Sequence, residues 1–545
     1  MNRREFIESV VMATVAAGCR SPFGTSRLGR KVTPNYWCTW DTQDFLHERV
    51  GTEIVRDVVN EEQLFGKEGW VKLYPECRRF LHLVVDAGFD TGYGLARDRY
   101  KILFGSLVPH PEKFPSFSGT PVQRLRELVK RIADAGWMGT GIWVPCQGTA
   151  ELIDAQPDDP RVREQLKRKL DMCAEAGVRY WKVDWGTHNW SVAFRRLMTE
   201  VKNEICPEIL LDHCCGFDNG MNGVSKPWIV KEYDKDYTDV TGKSKRLIGD
   251  PQFDWVRRDT AALMEFSDTF RIYDTTDPMV TASALERIVF TLLAGDSVNS
   301  RTLVNAQDEC EIGACLGTAI GLMRASNWPP TKVLNPRQRH LMTTGAVRTI
   351  LWQQVAPAFS TAEGGRTLHS EETISETWHF EKGSTWWPEV FDKTMEQKAP
   401  AVVSRGMQLP TVRRRGGDAP FVLASRNPNG ALTVGALARL DVGKGYHTPT
   451  VDIDLPDDVS LAHGATLGVI GRPGSLSVRA TEGRVLAADM AGGETADVTA
   501  RCRFADGRLT IPGDVVVEIG SRMNVPGDQS EPGVRIDLVE SGRRG

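Results

Sequence analysis

Residues 179–186 read RYWKVDWG, with a lysine and an aspartate two apart inside an apolar, aromatic run. As a strand, the run sends Tyr180, Lys182 and Asp184 to one face and Trp181, Val183 and Trp185 to the other. An ammonium beside a carboxylate favours its ionised form. An ionised carboxylate at a strand end can attack an electrophilic carbon such as the anomeric centre of a sugar. Three more apolar runs end in acids: Asp86 closes LHLVVD, Asp212 closes EILLD and Asp274 closes DTFRIYD. Arg271 is a second cation, on the run leading to Asp274. An acid less compensated than Asp184 keeps its proton longer, which makes Asp274 the candidate general acid. Arg271 acts against that assignment, so charge alone leaves the two roles open. Asp268 and Asp277 are neighbours able to take the acid role.

The chain around these acids alternates strand and helix. TPVQRLRELVKRIADAG (120–136) is a helix by its signals, with Thr120 as N-cap, Pro121 in the first turn and Gly136 as stop. GTGIWVP (139–145) reads as a strand. A helix opened by Asp159 and Pro160 runs to Gly177, RYWKVD follows, then a helix over 191–205 and a strand over 208–213. That rhythm predicts parallel strands covered by helices, and the length favours a (β/α)8 TIM-type barrel over residues 30–350. In such a barrel the four acids meet at one rim. Residues 219–259, rich in Lys, Asp and Gly, interrupt the rhythm after a strand end and read equally as a substrate-shaping loop or a solvated insertion. Residues 351–399, including the Trp-rich ETWHFEKGSTWWPEV, read as a connecting segment. Short strands with turns such as Asn429-Gly430 then predict a C-terminal antiparallel β-sandwich over 400–540.

At 545 residues, with 41% hydrophobic and 25% charged residues, the composition is globular and ample for a core. A formal net charge of -4 gives no reason to expect nucleic acid as a partner. Tryptophan outnumbers tyrosine, 15 to 9, and Trp40, Trp143 and Trp185 read equally as core or as platforms for a sugar ring. The N-terminus (1–19) pairs Arg3 and Arg4 with a short apolar run ending AAGC. It resembles a twin-arginine export signal with Cys19 as a lipidated residue, which predicts a periplasmic or outer-surface protein, anchored through Cys19. The 11 cysteines contain no CxxC pair. His213 beside Cys214 lacks ligand spacing, so no metal site is expected.

Several of these segments together resemble the glycoside hydrolase clan of the α-galactosidases, families 27 and 36, with the raffinose-synthase-like proteins, as a divergent bacterial member. YWKVDWG is similar to the nucleophile strand, which implies Asp184. SDTFRIYDTTDP (267–278) resembles the acid/base segment, which implies Asp274 and, after it, Asp277. NYWCTWD (35–41) resembles the first-strand motif and points to Trp40. LDHCCG (211–216) points to Cys214. VVDAGFD (84–90) resembles the hydroxyl-holding motif through Asp86, but Ala87 replaces its second acid and Phe89 its tryptophan, so galactose is not implied as firmly as the reaction class. The resemblance covers residues 35–348. It implies a retaining, exo-acting α-glycosidase working through a covalent glycosyl-enzyme, without cofactor. Asp86, Lys182, Trp40, Trp143, Trp185, Cys214, Arg271 and Asp277 would then contact a carbohydrate substrate. A transglycosylase and a catalytically silent carbohydrate-binding protein are the alternatives.

Overall fold

The computed structural model describes residues 33–47, 51–52, 54–95, 103–188, 191–214, 229–231, 262–271, 281–298, 303–307, 309–323, 343–359, 368–379, 394–441, 445–526, 528 and 530–541. Cys19, Asp274 and Asp277 lie outside these residues, as does most of the 219–259 stretch.

Eight parallel strands close into a barrel: β1 (Tyr36–Cys38), β2 (His82–Val85), β3 (Gly139–Pro145), β4 (Tyr180–Asp184), β5 (Leu210–Cys214), β7 (Thr269–Arg271), β8 (Leu303–Gln307) and β9 (Ala319–Leu322), with β9 pairing back onto β1. A short strand, β6 (Ile229–Lys231), leaves the barrel after β5. The helix Pro121–Asp134 starts with a reciprocal capping box between Thr120 and Gln123. Asp159 caps Pro160–Ala176, and Ser191 caps Val192–Ile205. These caps satisfy backbone donors that the first helical turn leaves open. The apolar faces of these helices pack on the outward side chains of the strands, including Trp181, Val183, Ile142 and Val144. Inside the barrel, Tyr36, Cys38, Val84, Tyr180 and Met323 form a separate small core.

Two mixed sheets follow. The larger begins with β10 (Leu368–His379) and β11 (Thr394–Arg405), paired antiparallel along their whole length. Residues 351–399 are therefore not a connecting segment: they hold the end of the helix Thr343–Val355, all of β10 and half of β11. Period-two patterning is hard to see there because β10 mixes acids with Trp378, and β11 mixes charges with Pro400. The sandwich is also not purely antiparallel. β11 runs parallel to Phe421–Arg426, and Leu432–Leu437 runs parallel to Thr466–Gly471. In each case the chain visits the six-stranded sheet and returns in its original direction. Both sheets share one core, with Val434 and Val469 of one facing Ile453 and Val478 of the other. The Asn429-Gly430 turn joins two paired strands as its sequence predicts.

The other face of the large sheet packs on the barrel side. Arg348, from the helix Thr343–Val355, grips Asp489 through Nε–Oδ1 at 2.8 Å and Nη2–Oδ2 at 2.7 Å, and both side chains are buried. Trp352 of the same helix donates Nε1–H to Thr433 at 3.0 Å. It lies so close to Gly468 that a Cβ there would sit 2.5 Å from the indole.

Candidate active site

Parallel register levels the inward side chains of neighbouring strands. Trp143 pairs with Lys182, and Lys182 with Asp212. Tyr180 and Lys182 face the barrel interior as the alternation of RYWKVD predicts, while Trp181 faces the outer core. The alternation stops with the strand. Trp185, expected on the outward face, lies 5.5 Å from the inward Trp143, ring centre to ring centre.

Lys182 and Asp184 are neighbours, yet the lysine's closer partner is elsewhere. Its Nζ stands 2.5 Å from Asp86 Oδ2, across two strands, and 3.9 Å from Asp184 Oδ2. The expected pairing of Lys182 with Asp184 thus takes second place, because the lysine's four-carbon stem points into the barrel and reaches past β3 to the end of β2. Asp86 also accepts from the Cys38 thiol (2.9 Å) and from the Ala87 N–H (2.7 Å), and its own N–H donates to Thr39 Oγ1 (2.9 Å). Burial pushes the Asp86 carboxyl up, but Lys182 and these donors outweigh it and hold its pKa below the usual carboxylate value. Burial similarly opposes the charge of Lys182, and Asp86 more than restores it. Asp86 is 1% exposed as a side chain and Asp184 12%. Of the two acids around this ammonium, Asp184 keeps access to the mouth.

The Asp184 carboxylate is held by an indole: Trp143 Nε1–H donates to Oδ2 at 3.1 Å. Trp143 itself is fully buried, in a cluster with Phe104 and the partly exposed Trp185 and Trp40. The Arg56 guanidinium lies over Trp185 (4.9 Å), Trp40 (5.1 Å) and Phe104 (5.8 Å), within cation–π range. Below the strand end, Arg195 is buried and donates to the Val183 carbonyl (3.0 Å) and the Asp184 carbonyl (3.1 Å). It also meets His213 Nδ1 at 3.4 Å, while Thr199 Oγ1 meets His213 Nε2 at 2.9 Å. Burial, then Arg195 and Lys202, push the His213 pKa down.

β5 does not end at Asp212 but runs on to Cys214, which puts Asp212 one step below the rim. There Asp212 pairs with Arg271, whose other arm donates to Cys214 Sγ at 3.2 Å. Burial works against the Arg271 charge, and Asp212 raises its pKa all the same. Cys214 and Arg271 are both buried. Asp268 drops out as a general acid. It precedes β7, at the opposite end of the barrel, and is buried against Lys202 at 2.5 Å while accepting from Leu211 N–H at 3.1 Å. Asp274 stands three residues beyond β7, outside the described residues.

Three contributors had no assignment from sequence. Cys38 and Thr39 hold Asp86, and Arg195 fixes the backbone under Asp184. The one legible signal for Arg195 is its helical phase with Thr199 and Lys202, a polar stripe on an otherwise apolar buried face.

No family model matches the chain, and no curated protein matches it. Solved structures do show a likeness. An α-galactosidase from Saccharomyces cerevisiae is 8% identical, covering 94% of this chain and 100% of its own, at a TM-score of 0.40. A GH27 β-L-arabinopyranosidase from Geobacillus stearothermophilus is 10% identical, covering 93% and 98%, at 0.37. A putative α-N-acetylgalactosaminidase from Bacillus halodurans is 11% identical, covering 95% and 100%, at 0.36. At these scores the likeness carries nothing about the site.

Proposed function

We propose that the chain is a retaining α-glycosidase acting on terminal sugars, with an α-galactoside as the first substrate to try. The observation that carries this reading is the pairing of a solvent-reachable carboxylate, Asp184, with a fully buried one, Asp86, around a single ammonium at the mouth of a parallel barrel. Catalytic groups of such barrels stand at this end of the strands. Asp184 is oriented by Trp143 and attacks the anomeric carbon, while Asp274 protonates the departing oxygen. A water deprotonated by Asp274 then releases the sugar with its configuration retained. Lys182 keeps Asp86 charged, and Asp86 is the candidate acceptor for a sugar hydroxyl. Trp40 and Trp185, the partly exposed rings, are the platform candidates. The leader with Arg3, Arg4 and Cys19 would deliver this activity to the periplasm or outer surface.

The test is a panel of nitrophenyl α- and β-glycosides on wild type and Asp184→Asn, with the first-formed anomer read by NMR. Turnover of an α-glycoside with retention, lowered about 10³-fold or more in the variant, is expected. Unchanged turnover in Asp184→Asn, or an inverted first product, overturns the assignment.

A further inference from the structure

Asn305 is the middle residue of β8. It lies in register with Arg271 on β7, which is in register with Cys214 on β5. The β4–β5 pairing ends at Val183 with His213, so Asp184 and Cys214 are the next residues level with each other. One rung of the barrel thus carries Asp184, Cys214, Arg271 and Asn305. The rung faces inward, because Arg271 reaches Asp212 and lies 5.4 Å over the Tyr36 ring.

The other polar members of the rung are engaged. Asp184 takes the Trp143 N–H, and Arg271 serves Asp212 and Cys214. Asn305 has no exposed surface, and among the described residues neither its Oδ1 nor its Nδ2 has a hydrogen-bond partner. Its neighbour on the far side, Ala319 of β9, offers only a methyl group. Leaving a buried amide unsatisfied costs about 1–3 kcal/mol, and native proteins rarely tolerate it. Such a group is kept when something else completes it. An amide offers a donor and an acceptor side by side, which is what a sugar hydroxyl presents in return.

We propose that Asn305 is a specificity-determining residue that hydrogen-bonds one hydroxyl of the sugar held at Asp184. This rests on the reading of Asp184 as a glycosidic nucleophile. The assignment adds a neutral, two-way contact to a site where Lys182 and Arg271 are already matched by Asp86 and Asp212.

The experiment compares wild type with Asn305→Leu, of similar volume, and with Asn305→Ser in case the leucine variant does not fold. Melting temperature, kcat and KM are measured on the best nitrophenyl glycoside and on its monodeoxy analogues. Asn305→Leu is expected to melt no lower than wild type, since it removes an orphaned polar group. Its kcat/KM should fall about 5- to 150-fold. Wild type should penalise one deoxy position by a similar factor and the variant should not, with the other positions unaffected. That loss of discrimination at a single hydroxyl is what a merely structural role does not produce. Wild-type kcat/KM in Asn305→Leu, or an equal loss across all analogues, overturns the proposal. Calorimetry with the free monosaccharide and its deoxy series separates the two claims. If no glycoside is turned over but binding still loses one hydroxyl's contribution in the variant, the glycosidase reading falls and the Asn305 contact stands. Wild type binding no monosaccharide overturns the contact.

Discussion

Trp143 and Lys182 both reach Asp184, by different physics, and substitutions separate them. Trp143→Phe removes one hydrogen bond to a carboxylate, a contact of about 1.5–3 kcal/mol. Turnover should fall about 10- to 150-fold while Asp86 and its partners remain in place; a steady-state assay beside a melting curve checks this. Lys182→Met leaves Asp86 buried without its cation, which costs about 3–5 kcal/mol. Lys182→Met/Asp86→Leu should recover most of that stability without recovering activity, as read from denaturant midpoints. His82 offers a pH test. Burial, then nearby Arg179, push its pKa down to about 4, from an ordinary 6.5. Below pH 6.5 the unfolded chain takes up a proton that the native side chain refuses, so stability falls as pH drops from about 6.5 to about 4. The slope is about 1.4 kcal/mol per pH unit from this residue. His82→Gln should flatten the dependence over that window. Asp86 has the opposite displacement relative to charge: its stabilisation is present above the usual carboxylate pKa and disappears only in stronger acid.

The loops after β3 and β4 are laced together, and this lacing sets where Asp184 ends. Cys146 N–H donates to the Trp185 carbonyl at 3.0 Å, and His188 N–H to the Cys146 carbonyl at 2.9 Å. Gly186 passes between them with φ +158, and a Cβ there would stand 2.6 Å from the Cys146 carbonyl oxygen. Gly186→Ala should therefore displace Trp185 and Asp184 together; loss of activity larger than loss of melting temperature, with altered tryptophan fluorescence, is the expected signature. At this scale the sequence was most readable where signals are local. The caps Thr120 and Asp159, the stop before Gly177 and the strand Gly139–Pro145 all follow from neighbours within a few residues. What stayed hidden was long-range. Nothing near Lys182 shows that its nearer partner lies ninety-odd positions upstream at Asp86, and nothing in LLDHC shows that β5 outruns its aspartate. Strands carrying mixed polar and aromatic residues, β10 above all, have no clean period, so a paired hairpin read as a connector.

The barrel and the large sheet share one apolar cluster, which runs from Trp37 and Trp181 through Trp352 to Val403, Phe421 and Ile470. Two units joined in this way should melt as one. Calorimetry is expected to show a single transition with equal calorimetric and van't Hoff enthalpies. Arg348→Met, which strands Asp489, should lower stability by about 3–5 kcal/mol, while Gly468→Ala should drive a methyl into Trp352. The strand β6 adds a second kind of union. β11 is twelve residues long, but Phe421–Arg426 covers only its last four, and β6 fills the same edge over Thr394–Glu396. An open edge that would otherwise invite a foreign chain is thereby closed from within. During synthesis the stretch around Lys231 emerges long before its partner at Thr394 exists. The β6 pairing must therefore wait until most of the molecule has left the ribosome, so a chain released before Thr394 carries the barrel strands without that closure.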